Sequence, residues 1–152
     1  VAGAGIDYQV GPGKQYANTS DVPWTSLKAG DTVRIFYSDI AYNGKILIND
    51  QGTATNPIRV CGVPSSDGKL PKITGNGAVA NPNLANYYAS TAAVRAIHED
   101  RTLILIRDNL SNIQPQYIQI DGLDIGDLHP SYSYRIQQDK IYHTIHFLLV
   151  FG

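Results

Sequence analysis

Short segments in which apolar and polar residues alternate run along most of the chain. In "DTVRIFY", Val33 and Ile35 fall on one side and polar residues on the other. Because successive side chains of a strand point to opposite faces, this pattern predicts β-strands. The other predicted strands are "KILI" (45–48), "PIRVCGV" (57–63), "KIT" (72–74), "TLILI" (102–106), "YIQIDGLDI" (117–125) and the tail "IYHTIHFLLVF" (141–151).

The spacing of these strands limits the architecture to two classes. The early strands recur roughly every 12 to 14 residues, which fits an antiparallel sandwich or barrel and also the coils of a parallel β-helix. Corners such as "NDQGTATNP" do not have the form of a tight hairpin and favour coils. In stacked coils, we expect Val33, Ile35, Ile46, Ile48, Ile58, Val60, Ile73, Ile104, Ile118 and Ile120 to form one core.

Helical patterns are rare. "SDVPWTSLKAG" predicts a helix of about two turns, with Asp21 as its cap, Pro23 early and Gly30 at its end. "NLANYYASTAAVRAI" (83–97) is a second candidate, either a helix or an excursion from the strands.

Four segments taken together resemble a known family. "LKAGDTVRIF", "YNGKILINDQGTATNPIRVCGV", "LPKITGNG" and "YIQIDGLDI" are similar to the opening coils of secreted right-handed parallel β-helix proteins. These include polysaccharide lyases of the alginate lyase and chondroitinase B type and uncharacterised bacterial relatives. "YQVGPGKQY" and "VPWTSL" resemble that family's N-terminal cap, and the match runs from about Tyr8 to Asp127.

The resemblance implies an all-β fold, a short right-handed parallel β-helix with an N-terminal cap. We expect this domain to occupy residues 1–134, followed at 135–152 by an apolar β tail that either caps the domain or forms an intersubunit strand. The resemblance and the start at Val1 together predict a secreted protein, extracellular or at the cell surface.

Composition excludes several partners. Hydrophobic residues make up 43% and charged residues 16% of the chain, which is typical of a globular domain. The formal net charge of -1 provides no field that would attract nucleic acid or an anionic membrane. No apolar run reaches the roughly 18 residues of a membrane span.

Three acids at every third position, Asp121, Asp124 and Asp127, raise the question of a metal site. Along a regular strand Asp121 and Asp124 lie on opposite faces, unless Gly122 bends the strand. Calcium requires several oxygens gathered around one point. A site shared with His129 is the alternative, but we expect Asp121 and Asp127 to finish turns and Asp124 to face water.

Other motifs give no cofactor and no metal. "VGPGKQ" lacks the first glycine and the Ser or Thr of a phosphate-binding loop, and "GAG" lacks the third glycine of a dinucleotide site. His143 and His146 share a face only on a helix, whereas their surroundings predict a strand. The single cysteine, Cys61, is expected to be a small buried hydrophobe rather than a reactive thiol.

Catalytic residues are not predicted. The lyases that the chain resembles use an Arg and Lys pair beside calcium-binding acids on later coils, and no matching motif occurs in this sequence. Tyrosines are candidates for stacking on sugar rings, with ordinary packing as the alternative. These candidate carbohydrate-binding residues are Tyr87, Tyr88, Tyr132 and Tyr134. Asn18 and Asn109 lie in N-x-Ser/Thr sequons for glycosylation.

Two functional hypotheses follow. The first is a non-catalytic extracellular structural protein that self-associates, in one form as a filament, or coats a surface. The second is an abbreviated polysaccharide-processing protein, either a lyase fragment or a carbohydrate-binding module. The first is preferred because the residues for a lyase's chemistry are absent and the chain is too short for the long groove usual in that family. The tail, apolar on both strand faces, is expected to be covered by a neighbouring subunit or by its own last coil. The predicted self-association residues are Ile145, Phe147, Leu149 and Phe151.

Overall fold

The computed structural model describes residues 4–79, 103–106 and 114–127. Within them the chain forms eight β-strands and two short 3-10 helices, and no α-helix. The strands are β1 (Asp7–Val10), β2 (Thr32–Phe36), β3 (Ile46–Ile48), β4 (Ile58–Val63), β5 (Lys72–Thr74), β6 (Ile104–Ile106), β7 (Ile118–Asp121) and β8 (Asp124–Gly126). The all-β class is therefore confirmed for this part of the chain.

The strands form three sheets in which every pairing is parallel. The largest sheet has the order β1-β2-β4-β7, and two smaller sheets pair β3 with β6 and β5 with β8. From β2 onwards, consecutive strands always belong to different sheets. Strands β4, β6, β7 and β8 each pair with a strand from an earlier passage of the chain. Parallel strands need such long connections, because a tight hairpin can join only antiparallel strands.

Apolar side chains in register form the core between the sheets. Tyr8, Val33, Val60 and Ile120 occupy matching positions on the four strands of the largest sheet. Eight of the ten predicted core residues are buried: Val33, Ile35, Ile46, Ile48, Ile58, Val60, Ile73 and Ile104. The remaining two, Ile118 and Ile120, are only partly buried and pack against the edge of this core.

The predicted helix at residues 20–30 is wrong. The structure has two separate 3-10 turns instead, Thr19–Asp21 and Trp24–Ser26, and the cap of the first is Asn18 rather than Asp21. Val22 between them is extended, with φ -66° and ψ 138°. The physical reason is Pro23, because a proline disfavours the helical conformation of the residue before it.

These turns contribute buried side chains to the core. The indole of Trp24 is fully buried and donates a hydrogen bond of 2.7 Å to the carbonyl oxygen of Thr19. Strand β1, which the alternation analysis missed, is the first strand of the large sheet. Its outer edge is covered by Tyr16, which donates to the carbonyl of Gln9 and accepts from the amide of Gly11.

The segment predicted as one strand at 117–125 is divided between two sheets. Gly122 has a φ of 67°, a left-handed conformation that favours glycine, and the chain turns there from β7 into β8. The carbonyl oxygen of Gly122 would lie 1.8 Å from a Cβ added at Gly62. Two glycines therefore allow neighbouring corners of the chain to come into direct backbone contact.

Candidate functional site

The outward face of the large sheet carries a ladder of polar side chains. Gln9, Arg34, Cys61 and Asp121 occupy matching positions on β1, β2, β4 and β7. They alternate with the buried ladder, so they point away from the core. We call this surface the polar face; it also includes the neighbouring ladder of Asp7, Thr32, Arg59 and Gln119.

An ion pair joins the first two strands on the polar face. The guanidinium of Arg34 donates from Nε to Oδ1 of Asp7 at 2.8 Å and makes a second bond from its terminal nitrogen to Oδ2. Gln9 donates to the same carboxylate at 2.7 Å. The hydrogen bond from Arg34 holds the pKa of Asp7 below its ordinary value. Asp7 is therefore a fixed anion and not a proton donor at neutral pH.

The middle of the polar face pairs a second arginine with an amide. Arg59 donates from Nε to Oε1 of Gln119 on the next strand at 2.8 Å. Cys61, predicted to be buried, is only half-buried on this face. Burial, and secondarily the charge of Asp121, raises the pKa of the Cys61 thiol. A protonated thiol is a poor nucleophile, so the predicted absence of a reactive thiol agrees with these surroundings.

An aromatic ring at the end of β2 lies between two cations. The Nζ of Lys14 lies 4.2 Å from the centroid of the Phe36 ring, and Cζ of Arg34 lies 5.4 Å from it. Both distances fall within the range of a cation–π contact. The polar face therefore carries arginine, amide and aromatic groups on one sheet.

The three aspartates do not converge. Asp121 ends β7 in the large sheet, whereas Asp124 begins β8 in a different sheet. Asp127 accepts from Nζ of Lys72 at 2.8 Å and from the hydroxyl of Thr74 at 2.9 Å. The bond from Lys72 lowers the pKa of the Asp127 carboxyl. Asp124 is exposed, as predicted, and the turn at Gly122 explains why the periodic spacing does not gather the acids.

A second surface is the free edge of the large sheet. Strand β7 is the last in the sheet order, and no described residue pairs with its outer side. The amide of Ile58 donates to the carbonyl of Tyr117. In a parallel ladder the N–H and C=O groups of Gln119 then also point towards β4, and those of Ile118 and Ile120 point away from it.

Apolar side chains accompany this edge. Ile118, Ile120, Leu123 and Ile125 are partly buried hydrophobic residues at the margin of the core. We call the backbone edge of β7 together with these four side chains the open end. Ile118 and Ile120 were predicted core residues, and their position at the margin of the described core could not be predicted, because a strand pattern carries no information about its neighbours in the sheet.

Asn18 is the one sequon asparagine in the described part of the chain. Its Nδ2 donates to Asn43 at 2.7 Å, and its Oδ1 accepts from the amides of Thr19 and Gly44 at 2.8 and 3.0 Å. A glycan on Nδ2 would compete with the bond to Asn43, so the folded chain uses Asn18 as a structural residue. Asn109 lies outside the described residues.

Several predicted site residues lie outside the described residues. These are the candidate sugar-binding Tyr87, Tyr88, Tyr132 and Tyr134, the self-association residues Ile145, Phe147, Leu149 and Phe151, and the three histidines His129, His143 and His146. The helix candidate at 83–97 and the tail at 135–152 also lie outside them. These assignments stay predictions.

Within residues 4–79, 103–106 and 114–127, no group of three or more His, Cys, Asp or Glu side chains is placed to hold a metal ion. The same residues include no helix long and apolar enough to cross a membrane. Comparison of the chain with protein-family models, with curated proteins and with solved structures gave no match. The resemblance to β-helix lyases therefore stays a prediction, and the functional argument rests on the polar face and the open end.

Proposed function

We propose that this chain is a non-catalytic, extracellular structural protein, folded as a short right-handed parallel β-helix, that self-associates through its open end. Three all-parallel sheets that the chain enters in turn support the β-helix. The closed turn around Trp24 supports the proposed N-terminal cap. The extracellular location rests on the resemblance to secreted proteins.

The observation that carries self-association is a difference in burial between neighbouring coils. Ile58 and Val60 on β4 are fully buried, and their partners in register on β7, Ile118 and Ile120, are only partly buried. The side chains are of the same kind and point the same way. Burial of apolar area contributes about 25 cal/mol per Å², so a further strand against β7 would be stabilising. An unpaired strand edge is also a template for another chain.

The arrangement of charge supports a non-catalytic role. Asp7 and Arg34 neutralise each other, Arg59 is bonded to Gln119, and Cys61 has a raised pKa. An enzyme needs a base or nucleophile whose pKa is shifted towards its working pH. On the polar face, Asp7, Arg34 and Arg59 are instead each bonded to a neighbouring side chain.

The test compares two lysine variants of the large sheet. Ile120→Lys places a charge at the open end, whereas Gln9→Lys places the same charge on the polar face in β1. Light scattering across a concentration series should show the unaltered chain and Gln9→Lys associating. We expect the Ile120→Lys dissociation constant to rise at least tenfold, which corresponds to about 1.4 kcal/mol.

Circular dichroism of each variant serves as the control for folding. If the unaltered chain is monomeric at every concentration, or if Gln9→Lys and Ile120→Lys weaken association equally, the open end is not the contact. A folded Ile120→Lys variant that associates like the unaltered chain would also show that the open end is not the contact.

The apolar tail is a second, separate part of the proposal. Its residues lie outside those described, so the argument rests on the sequence, which is apolar on both strand faces from Ile145 to Phe151. Deleting residues 141–152 should leave a folded chain that associates more weakly. A deletion that leaves association intact would restrict the contact to β7 and β8.

The polar face favours one alternative function, an abbreviated polysaccharide-processing or carbohydrate-binding protein. Its two arginines and the Phe36 ring lie on one flat sheet, and such groups suit acidic sugars and sugar-ring faces. Titration with uronate oligosaccharides tests binding, with Arg59→Gln as the variant and Lys28→Gln as a control away from the face. Cleavage of a uronate polymer, detected by the absorbance of an unsaturated product, would replace the structural function with a lyase activity.

A further inference from the structure

The two ends of the core differ, and the difference restricts how copies can associate. At the β1 end, Tyr8 is 8% exposed and Val10 is fully buried. Tyr16 occupies the outer edge of β1 through two backbone hydrogen bonds to Gln9 and Gly11. At the β7 end, the outer edge has no described partner. Among the described residues, β7 therefore offers a second copy a more complete pairing edge than β1 does.

Head-to-tail growth would require β7 of one copy to pair with β1 of the next. Two of the groups that such pairing needs are already used, because the carbonyl of Gln9 and the amide of Gly11 bond to Tyr16. Displacing Tyr16 would also remove its ring from Tyr8, whose centroid lies 6.3 Å away. The β1 edge is thus partly occupied, whereas the β7 edge has no partner among the described residues, and this difference favours contact between two β7 edges, which closes on itself.

We infer that two copies pair through their β7 strands about a twofold axis, in a register centred on Gln119. This inference rests on the proposed self-association and specifies its partner and symmetry. A twofold axis across a strand reverses its direction, so the two β7 strands run antiparallel. The four-stranded sheets of two copies then join into one continuous sheet of eight strands.

The register follows from which backbone groups of β7 have no hydrogen-bond partner among the described residues. The N–H and C=O groups of Ile118 and Ile120 point away from β4, and those of Gln119 point towards it. In an antiparallel ladder, two opposed residues with free groups exchange both hydrogen bonds. Centring on Gln119 places Ile118 of each copy opposite Ile120 of the other. Both pairs then form, giving four backbone hydrogen bonds.

The side chains match in the same register. "IQI" reads identically in both directions, so a reversed copy places isoleucine against isoleucine on the core side. Gln119 lies opposite Gln119 at the axis on the polar face. Asp121 lies opposite Tyr117, which is 53% exposed, so no two aspartates face each other. Like charges directly opposed would destabilise an antiparallel pair, and this register avoids them.

The two open ends also bring their apolar side chains together. Ile118 and Ile120 remain partly exposed in the single chain, and the second copy covers their outer sides. The polar face continues unbroken across the axis, because side chains keep their alternation through the joined sheet. The dimer would therefore present two copies of the Arg34 and Arg59 ladders on one surface.

A cysteine at the axis tests the register directly. In the predicted ladder, residue 119 forms the pair without hydrogen bonds, with Cα atoms about 4.5 Å apart. That separation lies inside the range of about 4.4–6.8 Å that a disulfide spans. Gln119→Cys in a Cys61→Ser background should therefore form a covalent dimer under copper phenanthroline, with twice the chain mass of 16.6 kDa.

Gln9→Cys in the same background is the matched control, since residue 9 lies on the polar face in β1, at the opposite edge of the large sheet. It should remain monomeric under the oxidant, alone or mixed with the Gln119→Cys chain. A mixed disulfide between positions 9 and 119 would show head-to-tail contact and overturn the twofold arrangement. Circular dichroism before oxidation checks that each variant is folded.

The outcomes separate this inference from the function on which it rests. Association of the unaltered chain without a Gln119→Cys dimer would overturn the twofold register and leave self-association in place. Species larger than a dimer in light scattering would also contradict a closed pair. A chain that stays monomeric at all concentrations would overturn both.

Discussion

Replacing Asp31 with alanine is expected to destabilise the fold by about 3 kcal/mol. The carboxylate is 97% removed from solvent, since Asp31 is 3% exposed. Its Oδ1 accepts from the amide of Ile6 at 2.8 Å, and its Oδ2 accepts from the amide of Lys28 at 2.8 Å. One side chain thus joins the entry to β1 with the turn that precedes β2.

The magnitude follows from these two bonds. A hydrogen bond to a charged group contributes about 1.5–3 kcal/mol, which gives a range of about 3–6 kcal/mol for the pair. Ile6 is 58% exposed, so water can replace part of the lost bond at its amide. The lower limit of the range is therefore expected. Asp31→Asn keeps one acceptor oxygen and places an amide N–H₂ against the other donor, so we expect about half the loss.

Urea unfolding measured by circular dichroism is the assay. A loss of about 3 kcal/mol should lower the midpoint by about 1–2 M urea at a typical slope for a domain of this size. Asp39→Ala is the control, because its carboxylate accepts only from the Tyr37 hydroxyl at an exposed site. A loss below about 1 kcal/mol for Asp31→Ala, or an equal loss for Asp39→Ala, would refute the argument from buried hydrogen bonds.

Three further predictions concern the coils and the polar face. Gly62→Ala should lower the melting temperature far more than Gly68→Ala. An added Cβ would lie 1.8 Å from a backbone oxygen at Gly62, whereas it would meet nothing within 4 Å at Gly68. Ile58→Ala should lower the free energy of unfolding by about 2–5 kcal/mol, measured in urea at low protein concentration. Ile118→Ala should lower it less, because Ile58 is fully buried and Ile118 only partly. Equal losses would contradict the open end. The ion pair lowers the pKa of Asp7 and so contributes stability at neutral pH, which is lost as pH falls below the ordinary pKa of 3.8. Asp7→Asn should therefore flatten the dependence of the melting temperature on pH in that acid range. An unchanged pH profile would contradict the ion pair.

Most of the strands and most of the inward-pointing residues could be predicted from the sequence alone. Alternation of apolar and polar residues is a local property, and burial of one strand face is what selects it. It therefore predicted strands overlapping β2, β3, β4, β5 and β6 and the burial of Val33, Ile58 and Ile73. Local chemistry also explains its errors. Pro23 divided the expected helix into two turns, and Gly122 divided the expected strand into β7 and β8.

The pairing of distant strands could not be predicted from the sequence. Parallel pairing joins residues far apart in sequence, such as Arg34 with Cys61 and Arg59 with Gln119, and no local period encodes that register. The same pairing places Asp121 and Asp124 in different sheets, although they are only three residues apart in the sequence. Among the described residues, the same pairing leaves β7 at the edge of the large sheet. This position could not be predicted, because a strand pattern specifies which face is buried and not which neighbour completes the ladder.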